Sequence, residues 1–305
     1  QQDINSMLSM KSYDDCIKFL KNHSWAEGLN TGNIDEIVFF ETCKALKTVK
    51  KLSLFNRALP DELNLILYRF DFNNLKLAIK SFITGKSVEG EFLPYGNIKI
   101  EAIVDALKER NFEALPIYIK NCAKDAFDVL LKTNDGQLCD TIIDAGMLEA
   151  INEIKKCTKL DFVQKYAELF VASCDVKTAI RSCKYEKSKE FLQRAIVECD
   201  TLDKEKLVEA ASESLDLLYE YLLTTDYGIF VAVLKDSLVL FDKCIEDELI
   251  KLAKGQKSNS FTIAPIIVYF LAKENEMKTV RMVCVSQKIG LKTETIKERL
   301  RQTYA

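Results

Sequence analysis

A stretch of helix-forming sequence recurs along this chain at a fixed distance. Asn74-Leu75-Lys76-Leu77-Ala78-Ile79-Lys80-Ser81 aligns without gaps onto Asp175-Val176-Lys177-Thr178-Ala179-Ile180-Arg181-Ser182. The same step of 101 positions leads on to Glu276-Met277-Lys278-Thr279-Val280, so Lys76, Lys177 and Lys278 stand one period apart. Twice that step places Phe19-Leu20 on Tyr221-Leu222 and Trp25 on Tyr227, whereas the middle copy is degenerate, with Phe127 one residue off. The period is too long for a solenoid and has the length of a small domain. It predicts three helical units, 1–100, 101–204 and 205–305. A triplicated helical unit points to a shaped scaffold before it points to an active site.

Helical periodicity holds almost throughout. From Pro60 to Thr84 the apolar positions 63, 66, 67, 70, 75, 78, 79 and 82 form one stripe. Pro60 suits the opening turn and Gly85 the stop; Pro265 and Gly290 play the same parts near the carboxyl end. Connections are expected at residues 85–97, 132–136, 224–228 and 254–260, where helix-stopping residues gather. Asp203-Lys204-Glu205-Lys206 reads as an exposed helix start at the second border. With 10 Gly and 4 Pro in 305 residues, many tight hairpins are excluded. The fold class is all-α.

The chemistry-bearing residues point away from an enzyme. Net charge is -3, with no Lys/Arg block that suggests a nucleic-acid footprint. Lys44, Lys47, Lys50 and Lys51 read as a solvated face. The ten cysteines contain no C-x-x-C pair, and the single histidine, His23, has no clustered cysteine, so no metal and no cofactor are expected. The cysteines read as reduced thiols, mostly at apolar helix positions. Gly85-Lys86-Ser87 resembles the tail of a phosphate loop, but Lys80 stands where the earlier glycine belongs and the triplet follows a helix. His23 lies in a polar turn without a predicted partner. The longest apolar stretch, Ile263–Ala272, is too short to cross a bilayer, so no direct membrane insertion is expected. The chain opens Gln1-Gln2 without methionine, and an upstream segment is expected.

The candidate contact residues are all charged. Lys76, Lys177 and Lys278 are either helix lysines whose stems cover apolar surface or a repeated charge on one rim of an assembly. Glu276 and Arg281, five apart, do not face each other as an i, i+4 pair would. Arg281 interrupts the apolar run Val280–Val285 and is expected to reach a buried carboxylate or a neighbouring domain.

The segment from Pro265 through Tyr269 to Lys273-Glu274-x-Glu276-x-Lys278 and Arg281 continues into Lys288-Ile289-Gly290-Leu291 and Ile296-Lys297-Glu298-Arg299-Leu300. It resembles the last helices of the C subunit of V/A-type rotary ATPases, the counterpart of the eukaryotic d subunit. Tyr68-Arg69-Phe70-Asp71-Phe72-Asn73-Asn74-Leu75-Lys76 agrees with that family's aromatic, Asp, Asn-Leu-Lys segment; Ser173-Cys174-Asp175 departs most. The resemblance covers essentially the whole chain, apart from an amino-terminal helical portion that the family usually has. It implies three similar helical domains arranged as a pseudo-threefold funnel without catalytic activity. The wide mouth would take the central-shaft subunits and the other face would rest on the membrane rotor ring, on the cytoplasmic side of the cell membrane. The alternative is a generic helical adaptor binding a peptide or helix in a groove.

Overall fold

The computed structural model describes residues 2–10, 12–53, 60–86, 92–256, 259 and 261–304. It is all-α, with no strand among the described residues. In chain order the helices are α1 (Gln2–Leu8), α2 (Tyr13–Asn22), α3 (Ile34–Ser53), α4 (Asn64–Thr84), α5 (Ile100–Glu109), α6 (Ile117–Thr133), α7 (Gly136–Cys157) and α8 (Asp161–Lys184). They continue as α9 (Lys189–Ala195), α10 (Lys204–Glu213), α11 (Leu215–Leu223), α12 (Val231–Asp236), α13 (Leu238–Lys254), α14 (Ala264–Lys288) and α15 (Thr293–Glu298).

Polar residues set many of these boundaries. Ser12, Asp135, Ser188, Asp203, Ser214 and Ser237 each accept a hydrogen bond from a backbone N–H in the first turn of the helix they precede, satisfying a donor that has no intrahelical partner. The exposed start expected at Asp203 is one of them. Pro265 sits in the first turn of α14, where its missing N–H costs nothing. Pro60 acts one step earlier than expected: a 3-10 turn, Asp61–Leu63, comes between it and α4. The stretch at 224–228 is likewise partly helical, because a 3-10 turn runs from Asp226 to Phe230.

Residues pack into two compact units. One joins residues 1–60 with 237–305; the other is continuous from Asp61 to Asp236. In the first, α2 and α3 pack on α14, with Met7, Cys16, Leu20, Ile37, Val283 and Cys284 at the centre of one apolar cluster. In the second, α7 lies against α4, α6 and α8. Of the predicted α4 stripe, Leu63, Ile66, Leu67, Phe70, Leu75, Ala78 and Ile79 are buried, but Phe82 is 43% exposed at the last turn. The cysteines are all free, yet only Cys16, Cys139 and Cys284 are fully buried and Cys157 is exposed.

One glycine is needed for its lack of a side chain. At Gly146 in α7 a Cβ would come within 2.7 Å of the Cys122 Cβ on α6 and 3.4 Å of the Phe72 ring on α4. The three helices can approach this closely only with hydrogen at that position. Gly146→Val should therefore destabilise the protein by at least about 2 kcal/mol through overpacking. A urea-unfolding midpoint equal to the unmodified protein's would show that α6 moves aside freely.

Three of the long helices, α4, α8 and α14, share a local device. Near the middle of each, a buried polar side chain holds the chain that comes after the helix. In α4 the Asn74 amide exchanges hydrogen bonds with Leu93, donating to its carbonyl at 2.9 Å and accepting from its N–H at 2.8 Å. One turn earlier, Asp71 accepts from the Ile98 N–H at 3.0 Å and from the Tyr118 hydroxyl at 2.9 Å. Gly96 lies so close that a Cβ there would overlap the Asp71 carboxylate. In α8 Asp175 accepts from the Val197 N–H at 3.2 Å. In α14 Asn275 donates to the Gln302 carbonyl at 2.7 Å.

Candidate interaction surfaces on the long helices

Four of the predicted contact residues, Lys76, Glu276, Lys278 and Arg281, make ion pairs within their own unit. Lys76 and Lys80, one turn apart on α4, reach Asp144 at 2.5 Å and Asp140 at 2.6 Å on α7. Residue numbers rise along one helix as they fall along the other, so the two pairs form rungs between antiparallel helices. Lys177 is half-buried on α8. Lys278 pairs with Glu246 of α13 at 3.2 Å, and Arg301 bonds the other oxygen of the same carboxylate. Glu276 takes the Lys273 ammonium at 2.8 Å, and Arg281 takes Asp35 of α3 at 2.6 Å. Asp35 is 58% exposed, so the carboxylate that Arg281 reaches is not a buried one. Glu276 and Arg281 do not meet, as their spacing required.

Half-exposed pairs of this kind stabilise little, because each charge is already well solvated when apart. Their acids and bases can change partners at small cost. That property suits a surface that has to meet another protein.

A groove of about 670 Å³ opens in the first unit beside α14. Its apolar wall comes from Ile4, Met7, Phe19, Leu20 and Trp25 on one side and Pro265, Val268, Tyr269, Ala272 and Val280 on the other. His23, Asn275, Lys273, Glu276 and Tyr304 add polar groups. The His23 ring lies 4.0 Å from the Phe19 ring, its Nδ1 2.8 Å from the Phe19 carbonyl, so it closes the end of α2 as well as lining the groove. Of the charged candidates, only Glu276 is brought here. Periodicity did not reveal the groove, because three stretches distant in sequence build it.

The second unit holds a buried ionic network. Lys155 on α7 reaches Glu168 on α8 at 2.6 Å and Asp200 at 2.9 Å. The other Glu168 oxygen accepts from the Thr201 N–H and hydroxyl, both at 2.7 Å. Burial pulls the Lys155 ammonium down, but its bonds to Glu168 and Asp200 outweigh it and leave its pKa raised. For Glu168, burial pushes up and the Lys155 and Thr201 bonds more than offset it, so the carboxyl is lowered. Asp175 differs. Burial raises its pKa to about 8, the Val197 N–H opposing only partly, and its second oxygen has no hydrogen-bond partner.

The remaining sequence candidates have structural parts. Gly85 is the left-handed cap of α4, and its N–H donates back to the Ser81 carbonyl, so the phosphate-loop geometry is absent there; Ser87 lies outside the described residues. Among the described residues no group of three or more His, Cys, Asp or Glu is placed to hold a metal. No single described helix is long and apolar enough to cross a membrane. Leu215–Leu223 and Asp226–Asp236 reach that composition only together, across a bend of 119°.

Comparison with known proteins identifies a family for the chain. The family described as ATP synthase (C/AC39) subunit matches residues 1–299. The C subunit of the V-type sodium ATPase of Enterococcus hirae is 23% identical over 251 residues, covering 80% of this chain and 76% of that protein. The C subunit of the A-type ATP synthase of Thermococcus kodakarensis is 18% identical over 98% of this chain and 85% of its own length. With the match running through α4, α8 and α14 alike, the chain belongs to the C/AC39 subunit family of V/A-type rotary ATPases.

Proposed function

We propose that this chain is the non-catalytic central-stalk subunit of a rotary ATPase, a socket that joins the central rotor shaft to the membrane rotor ring. ATP turnover in the soluble head would thereby be coupled to proton or sodium movement. The observation that supports this most is the shared device of α4, α8 and α14. A mid-helix polar clasp fixes the chain following each long helix, which stiffens it against shear, and a torque coupler needs stiffness. Three similar helical domains, 1–100, 101–204 and 205–305, arranged as a funnel, are part of the proposal; the repeat borders near 100 and 205 fall at the starts of α5 and α10. The subunit would sit on the cytoplasmic face of the membrane, held there by its partners.

Lys76, Lys177, Lys278, Glu276 and Arg281 are the proposed points of contact with the shaft or the ring. The half-exposed pairs of Lys278 and Arg281 can be traded for partner charges cheaply, which would make docking salt-sensitive. The test is co-purification with the cognate central-shaft subunits at low and moderate salt. A stoichiometric complex is expected that weakens as salt rises, and further with Lys278→Glu or Arg281→Glu. No association at either salt, with helical circular dichroism intact, would overturn the socket. The groove favours a second reading, a helical adaptor, for which capture of short apolar peptides would be the sign.

A further inference from the structure

The groove beside α14 is built round an aromatic whose backbone is held under strain. Ser24 and Ala26, on either side of Trp25, both take left-handed backbone angles, with φ of 61° and 53°. Such angles are unfavourable for residues that carry a side chain, so the turn persists only where its surroundings hold it. Two hydrogen bonds do so: the Trp25 N–H donates to the Leu20 carbonyl at 3.0 Å, and the Ala26 N–H to the Glu41 carboxylate of α3 at 2.9 Å. Trp25 is thereby fixed as part of the groove wall.

A second part of the lining is held only by its edges. After α15 the chain runs without helix through residues 300–304. Leu300 packs against the apolar cluster and anchors this stretch. Beyond it, the Gln302 N–H donates to Asp247 of α13 at 2.6 Å, and the Gln302 carbonyl accepts from Asn275 of α14 at 2.7 Å. Arg301 bonds Glu246, the carboxylate that Lys278 also takes. Thr303 and Tyr304 then border the groove. Gln302 is exposed and its neighbours are only partly buried, so a few polar bonds at the edge of solvent carry this seat. Segments held in this way open locally before the helices they rest on.

We propose that residues 301–304 are a releasable strap: seated on α13 and α14, they place Tyr304 at the groove and keep other apolar groups out. The seat reads a chemical pattern that the strap itself displays. A cation goes to Glu246, the backbone of the next residue bridges Asp247 and Asn275, and an aromatic two positions further on borders the groove. A cation from another chain that claims Glu246 would free Arg301 and loosen the strap. Seat, strap and groove all lie within the first unit, and their exchange is independent of whether the subunit serves as socket or adaptor.

The experiment compares the full chain with one stopped after Leu300, using the apolar dye anilinonaphthalene sulfonate as the probe. Trp25 is the single tryptophan of the chain and lines the groove, so excitation through it reports dye bound nearby. The shortened chain should bind the dye about tenfold more tightly, as follows when a competitor seated about nine-tenths of the time is removed. The peptide of residues 299–304, added at about 1 mM to match the effective concentration of a short tether, should then displace the dye. Equal dye affinity in the full and shortened chains, both with intact helical circular dichroism, would rule the strap out, as would a peptide that leaves the dye in place. If the shortened chain does not fold, Tyr304→Ala in the full chain decides: a rise in dye affinity supports the strap and an unchanged value eliminates it.

Discussion

Lys155→Ala should cost the protein about 3–5 kcal/mol at neutral pH, because it strands the Glu168 carboxylate in the interior. Lys155 and the Glu168 side chain are 7% and 12% exposed, so little water reaches the contact while it is made. Asp200, the second acid on Lys155, is 80% exposed and simply returns to solvent. The deficit therefore resides in Glu168, held by its Thr201 bonds in a place where its charge has no counter-ion. The pH dependence carries a definite sign. Glu168 has a lowered pKa, so its contribution is present above the usual carboxylate range and is lost as pH falls through its native value. The gap between Lys155→Ala and the parent should accordingly shrink below about pH 4. Combining Lys155→Met with Glu168→Gln should recover much of the loss. Urea unfolding at pH 7 measures the loss and its recovery, and repeating it below about pH 4 measures the narrowing of the gap. A single-mutant loss under about 1 kcal/mol would mean that the pair behaves as a surface bridge.

Asp175→Asn is expected to work in the opposite direction and stabilise. The carboxyl's pKa is raised from 3.8 to about 8 by burial. Below the unfolded value both states hold the proton and the group is neutral to folding. Between roughly pH 4 and pH 8 the unfolded chain releases that proton while the native one keeps it, so stability falls by about 1.4 kcal/mol for each pH unit. Asparagine removes this drain and keeps an oxygen for the Val197 N–H. Its amide N–H finds no partner at the second oxygen's position, but neither does the hydroxyl of the neutral acid. The gain should approach roughly 5 kcal/mol at pH 8 and be near zero at pH 4. Midpoints of urea unfolding at the two pH values decide it; an equal difference at both would rule out ionisation as the cause. The aligned position of the first repeat, Asn74, already carries the amide and uses both of its polar atoms.

The helical class, the Gly85 stop, the Pro265 start and the Asp203 cap were legible because each depends on local backbone chemistry. Phe82 was misplaced for a reason: periodicity extends a stripe to the helix end, whereas the packing that buries it stops a turn sooner. The repeat was legible too, and its most visible charged positions are the lysines. Asn74 and Lys76 are two apart, as are Asp175 and Lys177, and residues two apart on a helix point to opposite sides. The inward member makes the clasp, and its partners lie 19 and 22 residues further on, beyond any helical period. The groove and the Lys155 network were invisible for the same reason, since each is assembled from segments that only tertiary packing brings together. A sequence period records similarity between segments; packing is free to join residues 1–60 with 237–305.

That union of the two ends sets a timetable for synthesis. The unit from Asp61 to Asp236 is continuous and can complete itself as it leaves the ribosome. The first 60 residues cannot, because the apolar faces of α2 and α3 close only on α14. At ordinary elongation rates they wait on the order of 10–50 s for it to emerge. Throughout that interval Ile17, Leu20, Ile37 and their neighbours stand open to water, and this nascent amino-terminal segment is where a chaperone would find its client.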